Sequence, residues 1–511
     1  VGDRGMSFQE ISPSDFFYRN RDLAGFSNPS RALYSALREL VENSLDACDS
    51  YGILPEIYIK ISQADNSISD IREYELSVQD NGIGMPDDKI PMALGKVFYG
   101  TKFGLKQARG TFGMGATMSV LYAQITTNKP VSIDSSQDGV SYSHYELFID
   151  IERNKPIIIN HSVNSASGWK GTRVRMNLVG DYMRSATKVK EYIKRVAIVT
   201  PYANILFIDP TGEVFMYRRT TTVIPPAPVE VKPHPKGVDL EMVRRMVRVW
   251  KKGNMVSFLT KNFHRVGKKT AISFLQYAGI DPNTDPRSLT HDDLVKLESA
   301  LRNYDKFLPP DASCLSPIGK DLLAEGIRKE LNPEFIEALT RTPLSYEGYP
   351  FIIEVAVSYE NRDGGMRLFR YANRIPLLYD EGNDVAYRVL NEEIDWKRYH
   401  LTTDDPVTVI THICSTKVPY KTMGKEYVAD RPEVEREIRN ALRIVLRSLS
   451  IFINRKSRME VVKKKQNIYR KYLPLIARFS SDLAERRIPD VNKLISMGEE
   501  EVEIQERVDG Q

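Results

Sequence analysis

Glu39-Leu40-Val41-Glu42-Asn43-Ser44-Leu45-Asp46-Ala47 lies in a strongly helical run. At about 100° per residue, Glu39, Asn43 and Asp46 fall on one face while Leu40 and Val41 turn away. Three oxygen-bearing side chains therefore share one surface. A magnesium ion takes oxygen ligands and keeps several waters, a set that an asparagine carbonyl can join, and a nearby glutamate can polarise an attacking water. Glu39, four residues before Asn43, faces the same way, whereas Glu42 points about 100° aside. This makes Glu39 the candidate base and Asn43 the candidate magnesium ligand. Standing alone, the same pattern also describes a solvated polar face on a surface helix.

Three further segments bear on this one. Tyr74 to Gln79 alternates like a strand and runs into Asp80-Asn81-Gly82-Ile83-Gly84-Met85. An ionised aspartate only accepts hydrogen bonds, which suits the exocyclic amine of adenine, and Gly82 and Gly84 let the backbone pass close to a flat base. A tight turn after a strand is the plainer reading of Asn-Gly. Gly110-Thr111-Phe112-Gly113-Met114-Gly115-Ala116-Thr117-Met118-Ser119 leads from a flexible stretch into a helix-like run, and glycines at a helix start expose backbone N–H groups to an anion. The Walker-type spacing ending in Lys-Ser/Thr is absent, and the loop does not directly follow a first strand, which disfavours a dinucleotide fold. Gly171-Thr172-Arg173-Val174-Arg175-Met176 reads as a strand whose Thr172 hydroxyl could hold the Asp80 carboxylate, although strand threonines commonly serve β propensity alone.

Taken in order, these four segments resemble the nucleotide site shared by gyrase, mismatch-repair and chaperone ATPases and histidine kinases, the GHKL family, whose ATPase domain is an α/β sandwich. The resemblance implies ATP with Mg2+ as cofactors, Glu39 as general base and Asn43 as magnesium ligand. It implies Asp80, Gly82, Gly84 and Thr172 around adenine, and Gly110, Thr111, Phe112, Gly113, Met114, Gly115, Ala116 and Thr117 as a lid over the phosphates. Thr101 and Lys102, in Tyr99-Gly100-Thr101-Lys102, are implied to touch nucleotide too.

Outward from these motifs, Val223 to Pro235 carries five prolines and reads as a linker. From about 238 to 308 the pattern is helical and short-looped, with Leu240, Val243, Met246 and Val247 at helix spacing. A Pro- and Ser-rich stretch from Pro309 to Pro317 leads through another helical segment to Tyr349. Phe351 to Tyr359, Met366 to Tyr371 and Val407 to Cys414 then read as strands. A long helix is predicted from Arg431-Pro432-Glu433 past Arg458, giving a lever-like layout. The tail beyond Pro474 reads as helical and ends in an acidic segment, Glu499 to Gln511.

A closer resemblance covers nearly the whole chain and is to the B-subunit family of topoisomerase VI, a type IIB topoisomerase. It rests on Phe16-Phe17 with Leu23-Ala24-Gly25-Phe26, Arg38 to Ala47, Lys232-Pro233-His234-Pro235-Lys236-Gly237-Val238-Asp239, Arg370-Tyr371-Ala372-Asn373-Arg374-Ile375-Pro376-Leu377 and Cys414-Ser415-Thr416-Lys417-Val418-Pro419-Tyr420-Lys421. It implies an α+β multidomain chain: a GHKL ATPase domain with an N-terminal strap (1–228), a small helix-two-turns-helix domain (229–308), a transducer domain with a long C-terminal helix (309–474), and a helical tail (475–511). Family transducers send a lysine to the γ-phosphate; Tyr420-Lys421-Thr422-Met423-Gly424-Lys425-Glu426 matches that loop, with Lys425 as the sensor and Lys417 or Lys421 as alternatives. The implied activity is ATP hydrolysis that gates strand passage, relaxing or decatenating double-stranded DNA. The implied partners are a second copy of this chain, which dimerises on ATP, and a DNA-cleaving A subunit in an A2B2 heterotetramer. The A subunit would supply the nucleophile, so none of the 26 tyrosines here is expected to become linked to DNA. After the third loop glycine this chain carries Ala116-Thr117-Met118, where relatives often carry other residues.

Composition narrows the field further. With 41% hydrophobic and 27% charged residues over 511 positions, the chain reads as a multidomain globular protein. Three scattered cysteines without a CxxC exclude a disulfide framework and a cysteine zinc site, and seven scattered histidines without HExxH argue against metallohydrolases. No stretch approaches a membrane span and the start lacks an apolar signal core, so a cytoplasmic, nucleoid-associated protein without membrane contact is expected. Residues 232 to 306 hold 15 Lys plus Arg against 8 Asp plus Glu, so within a net charge of +5 the helical module carries the surplus. Its His264-Arg265-Val266-Gly267-Lys268-Lys269-Thr270-Ala271 can offer amides and lysines to phosphate without reading bases, or be an ordinary basic surface. A second basic run, Arg455 to Lys471, suits DNA or a partner equally. Two rival classes remain. A DNA-repair clamp should run its transducer directly after the ATPase domain, and a chaperone or kinase should show no DNA dependence, a kinase also placing its ATPase domain after a phospho-accepting helix.

Overall fold

The computed structural model describes residues 10–64, 71–100, 104–110, 113–422 and 424–491. The helix Pro29–Asp49 begins where Asn28 accepts from the Arg31 amide, with Pro29 in the first turn. Its apolar residues Leu33, Leu37, Leu40 and Leu45 pack on an eight-stranded sheet. Across that sheet the strands run Lys155–Ser165, Ser141–Asp150, Val131–Ser136, Gly171–Gly180, Arg72–Gln79, Glu56–Gln63, Asn204–Ile208, Val214–Tyr217. Every neighbouring pair is antiparallel except Glu56–Gln63 with Asn204–Ile208. Alternation puts Ile57, Ile59 and Ile61 and, on the next strands, Leu76, Val78, Val174 and Met176 into one core. Helices Gly115–Thr127 and Tyr182–Val199 complete the layer with Pro29–Asp49, giving an α/β sandwich.

A separate all-helical core follows. Helices Leu240–Val249, Met255–Asn262, Lys268–Ala278 and His291–Asn303 enclose Val243, Phe258, Phe274 and Leu297. Their starts are chemically marked. Asp239 and Asn254 cap two of them, and Thr290 with Asp293 forms a capping box on the last.

The second sheet has six strands. Tyr349–Tyr359 lies between Val407–Ser415 on one side and Phe335–Thr340 and Leu344–Tyr346 on the other; Arg367–Ala372 and Ile375–Leu377 extend it beyond Val407–Ser415. One expectation is corrected here. The stretch leading to Tyr349, read as helical, is helical only over Lys320–Leu331, and Phe335–Thr340 is a strand. Its Glu-Ala-Leu composition favours helix locally, but pairing with Glu354–Tyr359 supplies a ladder that local propensity does not record.

The two sheets share a helix layer. Tyr182–Val199 gives Val189 and Ile193 to the first core and Ile198 and Val199 to a second with Leu323, Ile327, Phe369 and Ile410. Helix Lys320–Leu331 approaches so closely that a Cβ at Gly326 would collide with the Ile198 carbonyl. Each such buried aliphatic side chain contributes roughly 1.5–3 kcal/mol, so this seam is a substantial attachment. The helix Pro432–Ala484 follows, with Pro474 inside it. By contacts the chain forms two units, one reaching Ile394 and including Pro406–Val445, the other comprising Asp395–Asp405 and the chain from Leu446 onward. All residues of the candidate site belong to the first. Among the described residues, no helix is long and apolar enough to cross a membrane.

Candidate active site

A cavity of about 570 Å³ opens between helix Pro29–Asp49 and the N-terminus of helix Gly115–Thr127. Glu39, Asn43, Asp80, Gly84, Gly110, Gly113, Met114, Gly115, Ala116, Thr117, Thr172 and Lys425 all line it. Residues separated by more than 380 positions thus meet at one hollow. Thr101, Lys102, Thr111 and Phe112 lie outside the described residues. Gly82 is off the wall and acts through its amide, which holds Asp80.

The polar face of helix Pro29–Asp49 is not solvated. Arg38, Glu39, Glu42, Asp46 and Asp49 are all buried. Glu39 Oε1 accepts from Arg38 Nη2 at 2.7 Å, and its other oxygen lies where a Cβ on Gly115 would stand. A side chain at 115 would therefore displace the carboxylate, which places Glu39 directly against the start of the loop-to-helix junction. That helix begins at Met114, whose side chain has no oxygen to satisfy the first-turn amides, so Gly115, Ala116 and Thr117 present N–H groups and the positive end of the helix dipole toward the cavity.

Asp80 sits 4% exposed at the far wall. Its Oδ1 accepts from the Gly82 amide at 2.9 Å and the Thr172 amide at 3.0 Å. The expected role of Thr172 is corrected in one respect: its backbone holds Asp80, while its hydroxyl lies 3.1 Å from Ser135 Oγ. Gly171 at φ +128° permits this, since a Cβ there would strike the Asp80 carbonyl. Burial pushes the Asp80 carboxyl up to about 6, against the opposing hydrogen bonds from Gly82, Ser44 and Thr172.

From the second sheet's side, the loop after Val407–Ser415 delivers Lys425, 4% exposed, with Nζ 2.8 Å from the Arg109 carbonyl and 3.5 Å from Glu42 Oε2. Its backbone is left-handed at φ +53°, and Arg38 Nη1 donates to the preceding Gly424 carbonyl at 3.1 Å. Lys417 and Lys421 are exposed, and neither lines the cavity. Glu42 stands behind the wall, its carboxyl raised by burial.

Among the described residues, no three His, Cys, Asp or Glu side chains gather as a metal cage. A magnesium ion carried by phosphates and keeping its waters needs only a carbonyl such as that of Asn43, half-buried on the wall, and the residues present fit that habit.

Several wall residues escaped the motif reading. Arg109 bridges Asp46 and Asp49 at 3.1 and 2.8 Å, and Asn373 and Arg374 arrive from the hairpin of the second sheet. Arg38 and Asn373-Arg374 stood inside strings already singled out; Arg109 had only its place beside Gly110 as a signal. The proline-rich stretch is more than a linker: Pro228 and Glu230 line the cavity, and the Val231 amide bonds the Leu105 carbonyl at 3.0 Å. In the helical module, Arg265, Lys268 and Lys269 are exposed around the start of helix Lys268–Ala278.

A sequence profile described as "Topoisomerase VI B subunit, transducer" matches residues 310–465, and one described as "Histidine kinase-, DNA gyrase B-, and HSP90-like ATPase" matches residues 28–153. The chain is similar to a protein of Metallosphaera sedula named as the B subunit of type 2 DNA topoisomerase 6, at 45% identity over 511 residues, 96% of this chain and 94% of that one. Its likeness to the proteins of the same name from Saccharolobus islandicus and Saccharolobus solfataricus is 42% over 482 residues, 92% of this chain and 89% of each.

Proposed function

Because the chain belongs to the topoisomerase VI B-subunit family, the ATP-driven side of a type IIB DNA topoisomerase, we propose that its cavity turns ATP occupancy into a gate through the two ends of one wall, Glu39 and Lys425. The observation that carries the reading is the arrival of Lys425 from beyond the second sheet beside the helix that holds Glu39. Asp80 accepts from the adenine amine, with Gly82 and Thr172 fixing its carboxylate. The first-turn amides of Gly115–Thr127 receive the phosphates. Glu39 takes a proton from the water that attacks the γ-phosphorus, yielding ADP and phosphate. Magnesium, when bound, neutralises phosphate charge, with Asn43 as its protein ligand.

Lys425 supplies the differential interaction. An ammonium on the γ-phosphate favours the conformation in which its loop is docked, and loss of that phosphate removes the preference. Two copies close on ATP in this scheme and reopen after hydrolysis. The partners are DNA and a cleaving A subunit, in an A2B2 assembly. The exposed lysines at the start of Lys268–Ala278 meet duplex phosphates, and residues 1–228, 229–308, 309–474 and 475–511 act as ATPase, helical, transducer and tail segments.

The test is relaxation of supercoiled plasmid by this chain mixed with its cleaving partner, compared with the chain alone. ATP-dependent relaxation in the mixture only is expected; ATP turnover without strand passage in either sample would favour a repair-clamp or chaperone reading.

Asp80 gives the site a pH dependence. The ionised carboxylate accepts from the adenine amine, whereas the neutral acid turns one of its oxygens into a donor, so affinity is greatest well above about 6, is halved near that value and is lost as pH falls further. For one proton near 6, the Kd for ATP should rise about tenfold between pH 7 and pH 5. Equilibrium titration checks this, and a flat affinity would take adenine from Asp80.

A further inference from the structure

The segment that leads into the glycine-bearing loop, residues 107–109, is bound at each position by groups from the second sheet's side. The Gln107 side chain accepts from the Ser316 amide at 2.7 Å and donates to the Ser316 carbonyl at 2.9 Å. Asn373 Nδ2 donates to the Ala108 carbonyl at 3.3 Å, and Lys425 Nζ to the Arg109 carbonyl at 2.8 Å. The Arg109 guanidinium rests on Asp49 Oδ2, the same atom that accepts from Arg374 Nη1 at 3.0 Å.

Asn373 and Arg374 form the two-residue turn between Arg367–Ala372 and Ile375–Leu377, with φ +48° and +67°. Two successive left-handed residues make the hairpin turn for which Asn-Gly is the favoured sequence. Arginine at the second position is strained there, and such strain persists where the surroundings hold it. What holds Arg374 is visible. Its side chain bonds Asp49 and the Ser316 carbonyl, and its backbone amide donates to His412 Nε2 at 2.9 Å. His412 Nδ1 in turn faces Glu354 Oε2 at 2.8 Å, so with Nε2 accepting, Nδ1 carries the proton. Glu354 also accepts from the amides of Ile318 and Gly319, at the start of helix Lys320–Leu331. A buried chain of hydrogen bonds thus runs from the cavity wall to the central strand and a helix of the second sheet.

We propose that the Asn373-Arg374 turn is a positioning element, separate from Lys425, that ties the root of the phosphate loop to the second sheet and makes ATP turnover drive strand passage. The proposal rests on the gate reading given above. Contiguity alone does not establish coupling, so the variants are chosen to remove the tie while sparing the turn. Arg374→Gly restores the favoured turn residue and deletes the guanidinium; Asn373→Gly tolerates the left-handed backbone and deletes the Ala108 contact.

The experiment measures ATP hydrolysed and supercoils removed in the same reaction, with the A subunit present. Each variant is expected to raise the ATP consumed per strand-passage event at least about tenfold, with Arg374→Lys intermediate because it keeps the charge and loses the fork. An unchanged ratio overturns the proposal, whether both rates fall together or neither moves. Unaltered protein that relaxes no DNA under ATP would instead reject the gate reading itself. Should Arg374→Gly not fold, the ratio for Asn373→Gly decides.

Discussion

With Glu39 replaced by glutamine, ATP still binds and its turnover falls by about 10²–10⁴-fold, the usual contribution of a positioned general base. Glutamine keeps the shape and still accepts from Arg38 Nη2, so the buried guanidinium retains its 2.7 Å partner and the wall its packing against Gly115. What is lost is the capacity to take a proton. Alanine at 39 should fail likewise while leaving Arg38 without that acceptor. The competing carboxylate, Glu42, is 1% exposed, sits 3.5 Å from both Lys425 Nζ and Arg38 Nε, and does not line the cavity. Phosphate release and equilibrium ATP binding, measured on the same preparation, check the split. Turnover within about threefold of the unaltered chain would discard Glu39 as base.

Helix periodicity correctly grouped Glu39 with Asn43, because a 3.6-residue repeat places side chains on one wall regardless of what covers them. It could not say that this wall is buried, since a polar stripe reads alike whether it meets water or a second layer of protein. The covering layer comes from residues more than 300 positions away, Arg374 and Lys425 among them. Asp80 was legible as an acceptor after a strand, but the group that holds it was not. A backbone amide carries no sequence signature, so Thr172 drew notice for its hydroxyl while its N–H makes the bond. Phe335–Thr340 hid for a related reason: its strand character comes from the partner Glu354–Tyr359, not from its own residues. The prolines of 225–235 were legible as an end to regular structure, and only the fold reveals Pro228 and Glu230 on the cavity wall.

Replacing Lys425 by alanine should leave ATP binding weakened only modestly but cut its ability to close the gate, with strand passage reduced about 10²-fold. Three neighbouring lysines could have filled this role, and burial separates them. Lys417 is exposed and stacks on Tyr349, with Nζ 4.6 Å from the ring centroid, and Lys421 is exposed. Lys425 is enclosed, and its left-handed backbone carries a strain that the docked loop sustains. The same loop is held by Arg38 on Gly424 and by Arg31 on Glu426, so its docking does not hang on the lysine alone. Alanine at 425 should therefore spare the loop's position and remove its preference for nucleotide with a third phosphate. A charge-assisted hydrogen bond is worth about 1.5–3 kcal/mol, or roughly 10–150-fold in an equilibrium. Because closure is required before passage, that factor appears in the closed population produced by a non-hydrolysable ATP analogue and again in relaxation with the A subunit. Lys417→Ala and Lys421→Ala should change both by less than about threefold. If Lys421→Ala produced the larger loss, the loop would have to slide to present a different ammonium, and the contacts of Arg38 and Arg31 would mark a resting position instead of the working one.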